Sequence, residues 1–295
     1  MTKAFHKTLG LFFCLVFLAL TALPTFAQTK KTELSPKTIR DKNVNAYPSV
    51  GISYSGNSPA SSGLLIHETT YIPLRAFTDA LTDANISYNA KDREATVTDA
   101  GLSLVVRDGS HVIYANGRAL YSFTPAVVMS DGKMYLPIRI AAKVMGVSVS
   151  WSDKTRSVAI SGKANYLLSG DLYYNKDSLF WLSRIISAES RGEPLLGQIA
   201  VGNVVLNRMR SPLYPSTIYG VIFDRRYGVQ FSPVLDGSIY QTPYEASVTA
   251  AKICLEGYSV SGEILFFLEP RISTSLWIPT HRAYRFTIGN HDFYA

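Results

Sequence analysis

The sequence predicts an α+β protein in which an N-terminal β-rich repeat region precedes a mainly helical C-terminal region. First, "YIPLRAFTDAL" at 71–81 returns as "YLPIRIAAKVM" at 135–145, and such a repeat indicates a duplicated structural unit. Second, strand-like alternation of apolar residues ends near Gly162, where helical spacing replaces it. Third, the apolar run "LGLFFCLVFLALTAL" at 9–23 follows two lysines and precedes small residues, which is typical of an export leader.

Each copy of the repeat predicts a strand, a short helix and a hairpin. Pro73 and Pro137 stand where a proline is tolerated in the first helical turn. Alternating segments with a charged turn follow at 86–97 and 147–160, and Tyr88 corresponds to Trp151 with one gap. Three Asp-Gly or Asn-Gly pairs predict further hairpin turns, at 108–109, 116–117 and 131–132.

This "YxPxR" pattern resembles the copper amine oxidase N-terminal-like domain over roughly residues 48–162. The resemblance implies a stalk or wall-associated module and no copper site. The sequence agrees that a copper site is not expected, because the region's histidines, His67 and His111, have no cysteine beside them and no plausible ligand spacing. We expect Arg75 and Arg139, which follow the two prolines, to brace the helix starts.

The C-terminal region predicts four helices and then one or two short strands. The first helix covers 178–191 with Asp177 or Ser178 as its N-cap, and Pro194 opens the second, 194–210. The third covers 214–223 after a Ser216 cap, and the fourth covers 242–257 with a Thr242–Glu245 capping box and Gly257 at its end.

Charge and composition favour an exported wall or envelope protein over a nucleic-acid-binding one. The net charge is +7, but residues 28–47 hold five basic and two acidic side chains, so little of the excess lies in the folded part. Such a basic segment suits association with an anionic wall or membrane surface, or serves as a solubilising spacer. Outside the leader only Cys254 remains, so no intrachain disulfide can form, and we expect it to be a buried mid-helix residue.

We divide the chain into five parts on these grounds. They are a signal peptide at 1–27, a basic polar linker at 28–47, the repeat domain at 48–162, a linker at 163–172 and the helical domain at 173–295. The expected location is the cell wall or the extracellular space.

Glu189 is the strongest candidate for chemistry. It lies three, four and seven residues after Ile186, Ile185 and Leu182, so it shares their apolar helix face. Burial raises the pKa of a carboxyl and keeps the proton that a general acid needs. The alternatives are that Glu189 faces solvent or pairs with a nearby arginine, Arg191 or Arg208. We expect Glu193, beyond the helix break, to cap the next helix.

Resemblance to a known family supports the chemical interpretation. "AESRGEPLLGQIAVGNVVLNRM" resembles the signature of the SleB-type cell wall hydrolases, the spore-cortex-lytic enzymes and their relatives. "YPSTIYGVIF", "VQFSP", "ILFFLEPR" and "FTIGNHDFY" continue the likeness in order, over roughly 173–295. Ser190 stands where the family has Ala, and Glu269 stands where Asn is common.

The resemblance implies a lysozyme-like helical domain that cuts peptidoglycan between N-acetylmuramic acid and N-acetylglucosamine, without a cofactor. Glu189 is then the catalytic acid, and one acid suffices for a lytic transglycosylase that forms 1,6-anhydromuramic ends. Arg191 and Glu193 are supporting candidates, and Asp224 or Asp236 would serve a hydrolase that adds water. The substrate-binding candidates are Gln230, Phe231, Ser232, Phe267, Trp277, His291 and Tyr294.

Other classes of protein stay open at this point. The chain could be a non-catalytic wall-binding or regulatory protein that keeps the fold, or a muramidase that hydrolyses the same bond. An amidase that cuts the peptide stem usually needs zinc, and the sequence offers no zinc ligand set: His281 and His291 lie ten residues apart without a cysteine motif.

Overall fold

The computed structural model describes residues 31–55, 61–226, 228–274 and 276–295. The predicted signal peptide, 1–27, lies outside these residues. From Thr32 to the C-terminus the chain forms one compact unit, and it is mixed α+β as predicted. No helix in the described part of the chain is long and apolar enough to cross a bilayer.

The strands are β1 Ser49–Tyr54, β2 Ser61–Ile66, β3 Thr69–Pro73, β4 Asn85–Asn89, β5 Glu94–Asp99, β6 Leu102–Arg107, β7 Val112–Ala115, β8 Arg118–Tyr121, β9 Val127–Val128, β10 Met134–Pro137, β11 Ser148–Ser152, β12 Ser157–Ser161, β13 Phe266–Leu268, β14 Tyr284–Ile288 and β15 His291–Tyr294. The helices are α1 Leu74–Asp79, α2 Ile138–Met145, α3 Gly170–Tyr173, α4 Lys176–Ser190, α5 Leu195–Arg210, α6 Ile218–Ile222, α7 Pro233–Asp236, α8 Glu245–Leu255 and α9 Trp277–His281. Short 3-10 helices cover Val44–Ala46 and Ser238–Tyr240.

Three sheets organise the strands. A seven-stranded sheet has the order β11-β12-β1-β2-β3-β10-β9, and a five-stranded antiparallel sheet runs from β4 to β8. The third sheet, β13-β15-β14, belongs to the C-terminal region, which therefore has three strands where one or two were expected.

The repeat builds the two predicted strand–helix–hairpin units, β3-α1-β4-β5 and β10-α2-β11-β12. The first strands of the two units pair antiparallel, with Ile72 opposite its own repeat counterpart Leu136. Tyr135 pairs with Pro73, and their counterparts in the other repeat, Tyr71 and Pro137, also pair with each other. The register therefore has local two-fold symmetry.

Two details of the repeat differ from expectation. Pro73 and Pro137 end their strands and act as N-caps with extended backbone, one position before the first helical turn. Arg75 and Arg139 are exposed, and neither guanidinium makes a hydrogen bond or ion pair with a described residue. The prediction that they brace the helix starts is therefore wrong.

The hairpin turns form where the Gly pairs predicted them. Asn116 and Gly117 join β7 to β8 with φ of 50° and 76°, which is the left-handed pair of a type I′ turn. Gly109 and Gly132 also have positive φ, at the turns before β7 and β10.

Helix α5 forms the centre of the C-terminal region. Residues from Leu196 to Arg208 along it are all buried, against α4 on one side and α8 on the other. A Cβ at Gly202 would lie 2.7 Å from the Sγ of Cys254, so glycine lets α5 and α8 approach closely. Cys254 is buried and free, as expected.

The caps of three helices were predicted at the wrong residues. α4 begins after Asn175, whose side chain accepts a hydrogen bond from the Ser178 amide. α6 begins after Thr217, whose hydroxyl accepts from the Gly220 amide, and Ser216 is not the cap. α8 begins at Glu245 after Tyr244, whose backbone is extended and whose side chain makes no cap hydrogen bond, so the predicted Thr242–Glu245 capping box does not form.

The predicted basic linker packs along the surface from residue 32. Leu34 and Thr32 exchange backbone hydrogen bonds with Thr287 of β14, both at 2.9 Å. Further on, the Lys37 amide donates to the Phe123 carbonyl, and Ile39 is buried. This segment therefore touches both the C-terminal sheet and the repeat region.

A buried ion cluster joins the repeat region to α8. Arg118 Nε lies 2.6 Å from Glu256 Oε1, and these side chains are 5% and 3% exposed. Lys143 lies 2.8 Å from the same carboxylate, and the Tyr174 hydroxyl donates to it at 2.8 Å. Burial raises the pKa of Glu256, but the bonds from Arg118, Lys143 and Tyr174 outweigh it and hold that pKa below its usual value.

Candidate active site

A groove of about 620 Å³ opens at the C-terminal end of α4. Its described walls come from α4, α5, the segment before α7, and the β13–β15 sheet. The lining residues are Glu189, Arg208, Val229, Gln230, Phe231, Ser232, Phe266, Phe267, Leu268, Glu269, Ile272, Trp277, Ile278 and His291. Seven of the ten predicted catalytic, binding and supporting residues are among them.

Glu189 is the partly buried acid at one end of this groove. Helix α4 buries Leu182, Ile185 and Ile186, and Glu189 follows on the same face. Burial is the main reason that its pKa rises to about 7, and the charge of Asp236 adds to the effect. The nearby positive charge of Arg208 lowers the pKa in part. A substantial fraction of Glu189 is therefore protonated at neutral pH.

Arg208 is a buried cation that lines the same groove as Glu189. It is 5% exposed, and its Nε donates to the Leu265 carbonyl at 2.7 Å. Its Nη1 atom is buried without a hydrogen-bond partner among the described residues. Burial lowers the pKa of Arg208, yet an arginine remains cationic at neutral pH.

Aromatic rings surround the Arg208 guanidinium. Its central carbon lies 5.2 Å from the ring centres of Tyr214 and Phe231 and 5.3 Å from that of Phe266. Such rings exclude water and attract the cation. No ion pair joins Arg208 to Glu189 in the described structure, so the guanidinium keeps donor capacity for a ligand.

His291 is a second buried group with an unused nitrogen. It is 7% exposed at the start of β15, and its Nδ1 has no hydrogen-bond partner within the described part of the chain. Burial lowers its pKa, so the ring is neutral at pH 7. Its ring lies edge-on to Phe267 at 5.3 Å. A buried polar atom without a partner is unusual, and His291 lines the groove.

The other groove residues come from two segments. Gln230, Phe231 and Ser232 run into the start of α7, and Phe231 is buried while Ser232 is exposed. Phe267 lies on β13, and the half-exposed Trp277 begins α9. These five residues meet at the groove as the sequence predicted, although their roles in binding remain predictions.

Three predicted residues lie away from the groove. Tyr294 is buried on β15, paired opposite Phe266, and is not among the residues that line the groove. Arg191 is exposed and lies over the Tyr244 ring, 5.8 Å from its centre. Glu193 is the third.

Glu193 fixes the turn that leads into β15. Its two carboxylate oxygens accept from the backbone and the side-chain amide of Asn290, each at 2.8 Å. Gly289 has φ of 57°, and a Cβ there would lie 2.1 Å from the Glu193 carboxylate. The side chain thus binds this turn, immediately before His291, and the predicted helix cap is wrong.

A second carboxylate in the groove is Glu269, which the sequence analysis noted only as a departure from the family. Its side chain accepts from Arg271 at 3.0 Å. Asp224 instead lies in an adjoining cavity of about 530 Å³, where the hydrogen bond from Arg226 lowers its pKa. Asp236 is exposed and does not line the groove.

Sequence reasoning missed Arg208 as a groove residue, although a signal was present. It is a charged residue at the end of a continuous buried run on α5, and buried arginines are rare unless something uses them. No cluster of three His, Cys, Asp or Glu side chains suited to a metal occurs among the described residues.

Comparison with known proteins identifies two regions. Residues 192–294 match the family model described as Cell Wall Hydrolase, and residues 57–160 match the one described as Copper amine oxidase N-terminal domain. Glu189 lies three positions before the first of these spans.

Curated relatives resemble the same end of the chain. A spore cortex-lytic enzyme of Bacillus cereus is 39% identical over 120 residues, which are 41% of this chain and 45% of the relative. That of Bacillus subtilis is 37% identical over 120 residues, 41% of this chain and 38% of the relative. The chain therefore spans less than half the length of these relatives.

A solved structure is also similar in sequence. The catalytic domain of the germination-specific lytic transglycosylase SleB from Bacillus anthracis is 38% identical, covers 44% of this chain and is itself covered completely, with a TM-score of 0.38. The chain therefore has a region that matches the copper amine oxidase N-terminal domain, followed by a region that matches the cell wall hydrolase family and is similar to spore cortex-lytic enzymes.

Proposed function

We propose that the protein cleaves the glycan strand of peptidoglycan between N-acetylmuramic acid and N-acetylglucosamine, with Glu189 as the acid. The observation that carries this proposal is a carboxyl with a pKa of about 7 inside a groove. An unpaired arginine donor and an unpaired imidazole nitrogen line the same groove. The match to the cell wall hydrolase family supports the substrate class.

The single-acid chemistry follows from the charges. Protonated Glu189 gives its proton to the bridging oxygen as the bond from that oxygen to C1 of muramic acid breaks. The resulting carboxylate lies near the Arg208 cation, which stabilises it. Glu189 then takes the proton from the muramic acid 6-hydroxyl while the oxygen of that hydroxyl bonds to C1. This step gives a 1,6-anhydro end and restores the protonated Glu189.

We propose a role for each of the two unpaired groups as well. Arg208 has a free donor at Nη1 and is held in place by Leu265, so it can orient a carbonyl or carboxylate of the substrate. His291 is neutral and can donate or accept at Nδ1, which suits an N-acetyl group or a hydroxyl. Gln230 and Trp277 offer an amide and an aromatic face along the groove.

Hydrolysis of the same bond is the second candidate. Glu269 favours it, because a glycosidase that adds water uses two carboxylates and Glu269 is the second one in the groove. The Glu269 carboxylate would activate a water molecule in place of the 6-hydroxyl. A non-catalytic wall-binding protein is the remaining alternative.

We propose that the protein is exported and acts in the cell wall or spore envelope. The leader-like first residues and the substrate class support this location. The repeat region and the basic segment before it would hold the enzyme at the wall.

The experiment that tests the activity is a digest of purified peptidoglycan and of spore cortex with residues 28–295, followed by mass spectrometry of the fragments. We expect anhydromuramic ends, and Glu189→Gln should abolish them. Glu269→Asn, which installs the common family residue, should leave them unchanged. Reducing muramic ends that disappear with Glu269→Asn would establish hydrolysis. If neither substrate is cleaved, the result would favour the alternative that the protein binds the wall without catalysing a reaction.

A further inference from the structure

Each repeat of the N-terminal region carries a surface pocket. The first repeat pocket has a volume of about 470 Å³, and the second about 560 Å³. The first is lined by Ser61, Ser62, Pro73, Leu74, Arg75, Ala76, Asp79, Ile86, Tyr88, Ala95 and the segment Gly132–Met134. Lining residues of the second include Pro137, Ile138, Arg139, Ile140, Val149, Trp151, Val158, Tyr121 and Tyr258.

The two pockets are built from equivalent residues. Around each proline and arginine, equivalent residues of the two repeats differ by 64 in residue number. In the hairpins they differ by 63, because the alignment has one gap there. The equivalent pairs are Pro73–Pro137, Leu74–Ile138, Arg75–Arg139, Ala76–Ile140, Ile86–Val149, Tyr88–Trp151 and Ala95–Val158. Duplication has therefore kept these seven lining positions as well as the fold, whereas the other lining residues of the two pockets differ.

Both pockets present an aromatic ring to solvent. Tyr88 is 50% exposed and Trp151 is 40% exposed, on equivalent hairpins. The Trp151 indole nitrogen donates to Asp153 at 2.8 Å, which fixes the ring orientation. An exposed aromatic face in a pocket binds the apolar face of a sugar ring, because its electron-rich surface attracts polarised C–H groups.

Both pockets also hold an arginine that the fold does not use. Arg93 and Arg107 of the same region bind Asp108 and Glu94, at 2.6 and 2.8 Å. Arg75 and Arg139 bind no described residue, so packing and ion pairing do not explain why both repeats have one. A guanidinium without a partner is suited to a carboxylate, which it binds through two parallel hydrogen bonds.

The second repeat pocket contains an additional unpaired donor. Tyr121 is 5% exposed, and its hydroxyl has no hydrogen-bond partner in the described part of the protein. Buried hydroxyls nearly always have a partner, so a polar group of a bound ligand would complete this one.

We propose that the two repeat pockets bind the glycan strand of peptidoglycan, each placing an aromatic ring on a sugar and an arginine on a carboxylate of the lactyl group or peptide stem. This inference rests on the proposed function for the identity of the polymer. Two pockets on one chain would hold an insoluble polymer more strongly than either alone, because the second contact is intramolecular.

The test is cosedimentation with insoluble peptidoglycan, using the Glu189→Gln protein so that the polymer stays intact. We expect the double variant Arg75→Ala, Arg139→Ala to weaken binding about tenfold or more, because each change removes a charge-assisted contact. Each single variant should weaken it less. Tyr88→Ala with Trp151→Ala should act in the same direction as the arginine pair.

Matched controls come from the same hairpins. Lys91→Ala with Lys154→Ala removes the same charge from equivalent exposed turns outside the pockets and should leave binding unchanged. Unchanged thermal midpoints would show that all variants fold. Equal binding by the arginine double variant and the lysine control would overturn the proposal.

Two further arms separate the remaining explanations. Peptidoglycan stripped of phosphate-containing wall polymers should bind as well as unstripped material, and loss of binding on stripping would assign the pockets to those polymers instead. With Glu189 restored, the arginine variants should cleave short soluble glycan fragments normally and insoluble peptidoglycan more slowly. Absence of all cleavage would count against the proposed activity. The cosedimentation result would still test whether the repeat pockets bind peptidoglycan.

Discussion

At the scale of single residues, the chemistry of the groove depends on where charge is buried. Glu189 keeps a proton because burial raises its pKa, and Arg208 keeps an unused donor because its neighbours are aromatic rings and one carbonyl. The arginine and the glutamate are close enough to affect each other's pKa but form no ion pair. This arrangement holds the acid protonated and still stabilises the anion that forms.

The first prediction concerns pH. Because Glu189 must be protonated and its pKa is about 7, kcat/KM should fall about tenfold per pH unit well above pH 7. Asp236→Asn removes a charge that raises this pKa, so the alkaline fall should move to lower pH. The measurement is the pH profile of cleavage of soluble glycan fragments. A profile that does not move with Asp236→Asn would contradict the assignment.

The second prediction separates the charge of Arg208 from its donor geometry. Arg208→Lys keeps the charge and loses the planar donor, so activity should fall about a hundredfold while the alkaline fall stays in place. Arg208→Gln removes the charge as well, so the pKa of Glu189 should rise and the alkaline fall should move to higher pH. Identical pH profiles for both variants would show that Arg208 is only structural.

At the scale of elements, the groove is assembled by contacts between distant segments. The β14–β15 turn is fixed to the start of α5 by Glu193, and this fixes where β15 begins. Gly289 is required there because its positive φ and its closeness to Glu193 exclude a side chain. His291 therefore depends for its position on a carboxylate 98 residues earlier in the chain.

The third prediction follows from this contact. Glu193→Gln can accept from only one of the two Asn290 donors, because its amide group would face the other. We expect a loss of about 1–2 kcal/mol in the free energy of unfolding and a rise in KM as His291 moves.

Denaturant unfolding and steady-state kinetics measure the two effects. Glu263→Gln is the control, since its pair with Arg285 on the same sheet is exposed and should contribute little. Equal behaviour of the two variants would show that Glu193 does not position the turn.

At the scale of the whole molecule, the repeat region and the helical region behave as one body. The core that contains α4, α5 and α8 also includes Val112, Ala119 and Tyr121 of the repeat region. Arg118 and Glu256 form the buried ion pair between the two regions, and Lys143 adds a second cation.

The fourth prediction concerns this cluster. Glu256→Ala leaves Arg118 buried without its partner, so the free energy of unfolding at pH 7 should fall by about 3–5 kcal/mol. Glu94→Ala, which removes the exposed partner of Arg107, should change it by less than about 1 kcal/mol. Denaturant unfolding measures both.

The cluster also predicts how stability depends on pH. The folded pKa of Glu256 is lowered, so its contribution is fully present above the ordinary glutamate pKa and is lost as pH falls through the folded value. The difference between the unaltered protein and Glu256→Ala should therefore shrink in acid. A difference that persists at the lowest pH would contradict this origin.

The sequence by itself determined the features that depend on local rules. The repeat units and the Asn-Gly turn followed from strand alternation and positive-φ preferences, and Glu189 followed from helical spacing. Helix caps were misplaced by one to three residues, because several residues near each helix start can cap it and only the final backbone path selects one.

Tertiary structure decided what depends on distant contacts. Glu269 and His291 join Glu189 in the groove only because β13 packs against α5 and pairs with β15, and no local pattern encodes that. Glu193 was predicted to cap a helix, but its carboxylate accepts hydrogen bonds from the backbone and side-chain amides of Asn290 instead. Arg75 and Arg139 are candidate ligand contacts because the folded structure leaves both exposed without a hydrogen bond or ion pair to a described residue. Local chemistry thus predicted Glu189 as the candidate acid, whereas burial in the folded chain raises its pKa to about 7 and places it in a groove.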